Sequence, residues 1–241
     1  MSAQLPIVFI PGASSDATVW DAQKDYFAHR TDVIAVDLTQ FDSIDAMSNE
    51  VLRLAPPEFI VCGTSMGGYV ALDVLKKAKG RVKKAIFCNT SARADTPARA
   101  RQRMMDVNAG EAAYLAGREE PDHYKVFVGE KSFRNADLLA RLKAISLRVG
   151  YGCFKRHQTA CSTRPDSLAF LPQIDMPVLL IGGAEDAVTP PELQAEMHDK
   201  IKGSLLTIIP AVGHIAHMEA AGLVTAEIEK FLATAAERKT A

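Results

Sequence analysis

Six short apolar runs, most of them separated by amphipathic stretches, constrain this chain more than any other feature. They are Ile7-Val8-Phe9-Ile10, Val33-Ile34-Ala35-Val36, Phe59-Ile60-Val61-Cys62, Ala85-Ile86-Phe87-Cys88, Val178-Leu179-Leu180-Ile181 and Leu205-Leu206-Thr207-Ile208-Ile209, each bounded by turn residues. A strand that alternates apolar and polar residues hides one face; a run apolar throughout hides both, which is the pattern of a parallel sheet covered by helices. Helical patterns fill the intervals at Ile44 to Leu54, Met66 to Ala78, Pro191 to Ile201 and Leu223 to Leu232. The expectation is an α/β fold, a mostly parallel doubly wound sheet of about six strands.

The alternation fails once. Between Ser91 and Phe170 there is no strand pattern, only helical ones, so residues 92–168 read as a helical cap (lid) inserted into a core formed by 1–91 and 169–241. Thr96-Pro97 supplies an N-cap and a proline at the first helical position, and the helix is expected to run from Ala98 to Leu115. Further helices are expected around Asp122 to Val128, Asn135 to Arg148 and Phe154 to Cys161, while Glu237 to Ala241 read as frayed. A length of 241 residues accommodates one domain with such an insertion.

Composition narrows the partners. A net charge of −1 offers no global basic field, so the sequence argues against nucleic acid and an anionic membrane surface and for a small-molecule substrate. No apolar stretch approaches the ~20 residues of a membrane helix, and Met1 to Leu5 lack the pattern of an export signal. Cys62, Cys88, Cys153 and Cys161 form no CxxC pair and read as buried thiols of a reducing compartment. A cytoplasmic protein is expected; oligomeric state is not encoded in any feature of the chain.

The chemistry-bearing motif is Gly63-Thr64-Ser65-Met66-Gly67, between the run ending at Cys62 and the helix beginning near Met66. Reversing a strand into a helix within two residues crowds the backbone, which glycine tolerates, and leaves the serine hydroxyl at the C-terminal edge of the sheet. GxSxG by itself arises by chance in about one sequence in ten of this length. As a phosphate loop it fails, lacking both the GxxxxGK[ST] lysine and the GxGxxG spacing. Serine needs a neighbouring base, and the base an orienting carboxylate. Asp186, in the loop after the fifth run, and His214, after the sixth, supply both in the chain order such a fold uses. Glu185 and His217 are their rivals. The grouping His214, His217 and Glu219 admits a metal reading, but no HExxH and no third histidine accompany it, so no metal and no cofactor is expected. The loop Pro11-Gly12-Ala13-Ser14 after the first run is expected to give the Ala13 amide as one oxyanion donor and Met66 the other. Ala13, Ser14 and Met66 are then the expected substrate contacts, with Trp20 as packing for that loop.

With these residues in place, the chain resembles lid-bearing members of the α/β-hydrolase superfamily, near small bacterial carboxylesterases similar to β-ketoadipate enol-lactone hydrolases and pimeloyl-carrier methyl ester esterases. The resemblance rests on Ile10-Pro11-Gly12, Gly63 to Gly68, Asn89 to Arg93, Gly183 to Pro190, and Gly213-His214 followed by Glu219. It departs at Pro11, where many relatives carry a histidine that helps fix the loop. The implied reaction is hydrolysis of a small carboxylic ester through a Ser65-His214-Asp186 triad and an acyl-enzyme. A thioester, lactone or carbon–carbon bond are alternatives with the same triad, and a small-ligand sensor built on a hydrolase pocket is the alternative of another class. Basic residues of the insertion, among them Arg93, Arg148 and Arg164, are candidates to guide an acidic acyl group, with solvated helix faces as the competing explanation.

Overall fold

The computed structural model describes residues 5–234, so the expectations for Met1 to Gln4 and for Glu237 to Ala241 lie outside the described residues. In chain order the elements are β1 (Ile7–Ile10), α1 (Asp21–Phe27), β2 (Val33–Ala35), α2 (Ile44–Leu54), β3 (Phe59–Thr64), α3 (Met66–Ala78), β4 (Val82–Cys88), α4 (Pro97–Asn108), α5 (Gly110–Glu119), α6 (Ala136–Ser162), β5 (Val178–Gly183), α7 (Pro191–Lys200), β6 (Leu205–Ile209), α8 (Ala216–Glu219) and α9 (Ala221–Ala233). The six strands form one sheet in the order β2-β1-β3-β4-β5-β6, with every pairing parallel.

Successive residues of a strand point to opposite faces, and here both faces are covered. Val8, Ile10, Val61 and Leu180 pack on one side with α2, α3 and Met197 of α7. Ile7, Phe9, Ile60 and Ile181 pack on the other with Trp20, Phe27 and the α9 residues Val224 and Ile228. The continuous apolar runs are the sequence image of this double burial. Their departure at the ends of the sheet is equally physical: Leu205 of β6, the edge strand among the described residues, is 49% exposed.

Strand order reverses between β1 and β3. The chain leaves β1 toward β2 on one side and returns to β3 on the other, so a crevice opens between the two loops at their C-terminal ends, the place where ligands bind in open α/β sheets.

Helix starts follow their caps. Ser43 Oγ accepts the Ala46 amide at 3.2 Å, Thr96 Oγ1 the Arg99 amide at 3.2 Å, and Asn135 Oδ1 the Leu138 amide at 3.1 Å. Between β4 and β5 several expectations need correction. The helix expected over Ala98 to Leu115 is two, broken where Gly110 takes φ +86°, a left-handed conformation that reorients the chain. The helix expected over Asp122 to Val128 is only a 3-10 turn, Pro121–Tyr124. The last two expected helices, around Asn135 to Arg148 and Phe154 to Cys161, stand as expected on either side of Gly150, whose φ of 71° and ψ of 176° break the helical path within Ala136–Ser162.

Candidate active site

Ser65 sits between β3 and α3 at φ 51° and ψ −117°, a conformation a serine adopts only when its surroundings impose it. They do so from both sides. A Cβ on Gly63 would stand 2.3 Å from the Gly67 carbonyl oxygen, and one on Gly67 would stand 2.3 Å from the Ile10 carbonyl oxygen. The turn is pinned by the Ser65 amide donating to Cys88 O at 3.0 Å and by Thr90 Oγ1 donating to Ser65 O at 2.7 Å.

His214 Nε2 lies 2.9 Å from Ser65 Oγ, and His214 Nδ1 lies 2.9 and 3.0 Å from the two carboxylate oxygens of Asp186. A carboxylate only accepts, so the proton belongs on Nδ1 and Nε2 is left to accept from the serine hydroxyl. Asp186 is itself held by the amides of Val188 (2.9 Å) and Thr189 (2.8 Å), by Thr189 Oγ1 (2.8 Å) and by Asn89 Nδ2 (2.9 Å). Burial pushes its carboxyl up, but the hydrogen bond and charge of His214, with the Thr189 and Asn89 donors, outweigh that and hold it below the usual aspartate range.

The rivals are occupied elsewhere. Glu185 Oε2 accepts the Glu130 amide at 2.7 Å. His217 stacks on Trp20 with ring centroids 4.5 Å apart, and burial, then the charges of His214 and Arg141, push it down to about 3. Glu219 accepts the amides of Gly129 (2.8 Å) and Gly213 (2.9 Å), tying the His214 loop to the segment after α5. The three candidate metal ligands of the 214–219 stretch thus face different partners.

Gly12 brings the β1 loop against Ser65: its Cβ position would lie 3.4 Å from Ser65 Cβ. Ala13 and Ser14 line the cavity in front of Ser65, whereas the Met66 side chain is fully buried in the core, so Met66 offers the site only its amide at the first turn of α3. Trp20 is fully buried and its Nε1 donates to Ile10 O at 3.1 Å, which fits a packing role. The cavity, about 830 Å³, extends from Ser65 and His214 into the helices between β4 and β5, where Tyr114, Arg118, Ile145 and Phe154 line it.

Residues 7–228 match the Alpha/beta hydrolase family. The chain belongs to that family. Among curated α/β hydrolases it is 26% identical over 187 residues to a pimeloyl-(acyl-carrier protein) methyl ester esterase of Neisseria meningitidis, an alignment covering 73% of this chain and 59% of that relative. It is 30% identical over 196 residues to a putative non-heme bromoperoxidase, BpoC, of Mycobacterium tuberculosis, covering 77% of this chain and 71% of the relative. Among solved structures it is similar to a thermophilic esterase from Thermogutta terrifontis with malate bound (28% identity, TM-score 0.86, 95% of this chain and 89% of the other). An enol-lactonase from Burkholderia xenovorans shares the fold at TM-score 0.84 and 19% identity, over 96% of this chain and 92% of the other. No helix among the described residues of this α/β hydrolase is long and apolar enough to cross a membrane.

Several site residues of this α/β hydrolase carry no local signature. Asn89, at φ 45° after β4, bridges Asp186 Oδ2 and, at 3.1 Å, the Gly213 carbonyl. His157 of α6 accepts the Ser14 amide at Nδ1 (2.9 Å) while its Nε2 donates to Leu38 O (3.0 Å), so it fastens the β1 loop that Pro11 leaves without a side-chain donor. Asn89 was readable only as part of the stretch Asn89 to Arg93 that carries the family resemblance; its partners were not. In the sequence His157 reads as a surface histidine or one lining a pocket of the insertion; it is instead fully buried, and nothing in the sequence couples it to Ser14.

Proposed function

We propose that this chain hydrolyses small carboxylic esters, with Ser65 as nucleophile, His214 as general base and acid, and Asp186 as the carboxylate that orients His214. The observation that carries this reading is the continuous line from Ser65 Oγ through both ring nitrogens of His214 to the Asp186 carboxylate, every link 2.9–3.0 Å. Ser65 Oγ attacks the ester carbonyl as its proton passes to His214 Nε2. The tetrahedral oxyanion falls to the amides of Ala13 and Met66, the latter with the positive end of the α3 dipole behind it. His214 then protonates the departing alcohol, and a water activated by the same nitrogen releases the acid and restores Ser65. Asp186, ionised throughout, stabilises the imidazolium that forms in between. The segment 92–168 acts as the lid, since its helices wall the cavity in front of Ser65, and no metal or organic cofactor enters any step.

The experiment pairs Ser65→Ala with fluorophosphonate labelling. The wild-type chain is expected to turn over p-nitrophenyl acetate or butyrate and to carry the label on Ser65. The variant is expected to lose at least about 10³-fold in kcat while retaining its fold by circular dichroism. Undiminished turnover in the variant, or label at another residue, refutes the assignment.

A further inference from the structure

The cavity in front of Ser65 is lined by five arginines, Arg93, Arg99, Arg103, Arg118 and Arg164, against two aspartates, Asp95 and Asp106, and by no lysine. Most of these cations are already answered. Arg93 forms a two-pronged pair with Glu196 at 2.7 Å for both bonds. Arg103 and Arg164 share Asp95, at 2.6 and 2.7 Å. Arg99 is exposed. The basic residues singled out in the sequence as guides for an acidic group, Arg93, Arg148 and Arg164, therefore each hold a carboxylate of this chain, Arg148 through Asp16 at 2.8 Å.

Arg118, which no sequence feature singled out, differs from all of them. It is only 8% exposed, and among the described residues it has no carboxylate partner. Its guanidinium lies over the Tyr114 ring at 4.0 Å and against Phe154 at 5.6 Å. Its Nε donates to Ser146 Oγ at 2.6 Å, and that is its one side-chain hydrogen bond. Both Nη nitrogens, which hold four of the five N–H donors of an arginine, have no acceptor among the described residues. The adjacent acid, Glu119, turns away to Lys143 at 2.6 Å. The charge is felt across the cavity: burial first, and then Arg118, push the neighbouring lining residue His123 down to about 4, leaving it neutral. Arg118 lines the cavity, so a ligand there meets a cation that no carboxylate of the described residues neutralises.

We propose that Arg118 is a specificity-determining residue, binding a carboxylate that the substrate carries remote from its scissile ester. Stacking on Tyr114 and the Ser146 bond fix the plane of the guanidinium and present the free Nη pair as a fork, which matches the two oxygens of a carboxylate. A single such fork, with no lysine beside it, suits one negative charge. The apolar lining around Leu142, Ile145 and Phe127 takes the carbon chain between the two ends. The inference rests on the ester hydrolase reading and narrows its substrate class to singly anionic esters, such as half-esters of dicarboxylic acids.

Two series of esters test it: monomethyl esters of dicarboxylic acids of graded length, and acetate esters of ω-hydroxy acids, each against an uncharged ester of equal length. In at least one series the wild type is expected to prefer the charged member in kcat/KM. Arg118→Met is expected to lower kcat/KM for that member by about 10- to 100-fold, mostly in KM, and for the neutral ester by much less, and Arg118→Lys to recover part of the loss. With the wild type alone, free dicarboxylates are expected to inhibit turnover of a neutral ester competitively and better than monocarboxylates of equal length, an advantage that shrinks as salt rises. Equal inhibition by both acids, or an Arg118→Met loss shared equally by charged and neutral esters, overturns the proposal. If Ser65 takes the fluorophosphonate label and neutral esters turn over, that failure belongs to Arg118 alone. If no ester is cleaved and Ser65 stays unlabelled, the hydrolase reading falls and this inference with it.

Discussion

Asn89 shows how much of the site depends on a residue that performs no chemistry. Its side-chain amide spans Asp186 and the Gly213 carbonyl, so it sets both the carboxylate and the loop that carries His214. Asn89→Gly removes the amide without straining the backbone, because glycine accepts the φ of 45° that asparagine holds here. A hydrogen bond to a charged acceptor is at stake, so kcat should fall by about 10-fold, with KM for a small ester little changed. The same variant should alter the acid response. Asp186 has its carboxyl held below the unfolded value, so it contributes stability above the unfolded pKa that is lost as pH falls through the folded one. Losing the Asn89 donor moves the folded value up toward the unfolded one, so the acid-dependent loss of stability, which still begins at the unfolded pKa, should be smaller and should end at higher pH in urea titrations. At this scale the sequence was informative for Ser65, Asp186 and His214, because each sits beside a turn glycine or at a strand end that announces it. It was silent on the pairing of Asn89 with Asp186, 97 residues away, and of Ser14 with His157, 143 residues away, since neither partner lies near the other in the chain.

Among the elements, the β3–α3 turn is a tight junction, and its tolerance can be measured. Gly67→Ala would set a Cβ 2.3 Å from Ile10 O and 2.7 Å from Pro11 O, both backbone atoms of the neighbouring strand end that cannot swing aside. The cost should be about 2–3 kcal/mol in denaturant unfolding, with activity lost because β1 and its loop must shift. Gly222→Ala, in α9 with no atom within 4 Å of its Cβ position, should instead be neutral or stabilising by up to about 1 kcal/mol. A loss of stability at Gly222 equal to that at Gly67 would show that the close approach is not the cause. Elements of the core were legible because burial writes them into residue type. The helices expected at Ile44 to Leu54 and Met66 to Ala78 have the observed bounds, and the strand expected at Ile7 to Ile10 likewise. Between β4 and β5 the pattern is looser, since α4 buries only Val107 and α5 only Tyr114 and Arg118. There the periodicity could not reveal that Gly110 ends one helix and opens the next.

For the whole molecule, the question is how the helices between β4 and β5 are fastened to the sheet over the catalytic line. Several contacts cross that boundary: Arg148 to Asp16, Arg141 Nη2 to Thr18 O at 2.7 Å, Arg156 Nε to Thr39 O at 2.8 Å, and the His214 amide to Phe127 O at 2.9 Å. Most are exposed or half-buried and each is worth little, as surface pairs are. His157 is the exception, being fully buried and using both ring nitrogens, one to accept from Ser14 and one to donate to Leu38. Only the neutral imidazole can do both, and burial, the largest influence, pushes its pKa below the ordinary value. In the unfolded chain the ring binds a proton more readily, so folding stability rises with pH between the folded and unfolded values. The contribution of His157 is therefore complete above the unfolded histidine pKa and is lost as pH falls below it. His157→Phe fills the space but orphans the Ser14 amide and the Leu38 carbonyl, which should cost about 1–3 kcal/mol at pH 8. Because the variant has nothing to protonate there, the gap between it and the wild type should narrow as pH falls toward 5. The variant should also lose kcat, since Ser14 adjoins the Ala13 amide assigned to the oxyanion. A gap constant from pH 8 to pH 5 would show that His157 acts through packing alone, and unchanged kcat would show that the β1 loop holds its geometry without it.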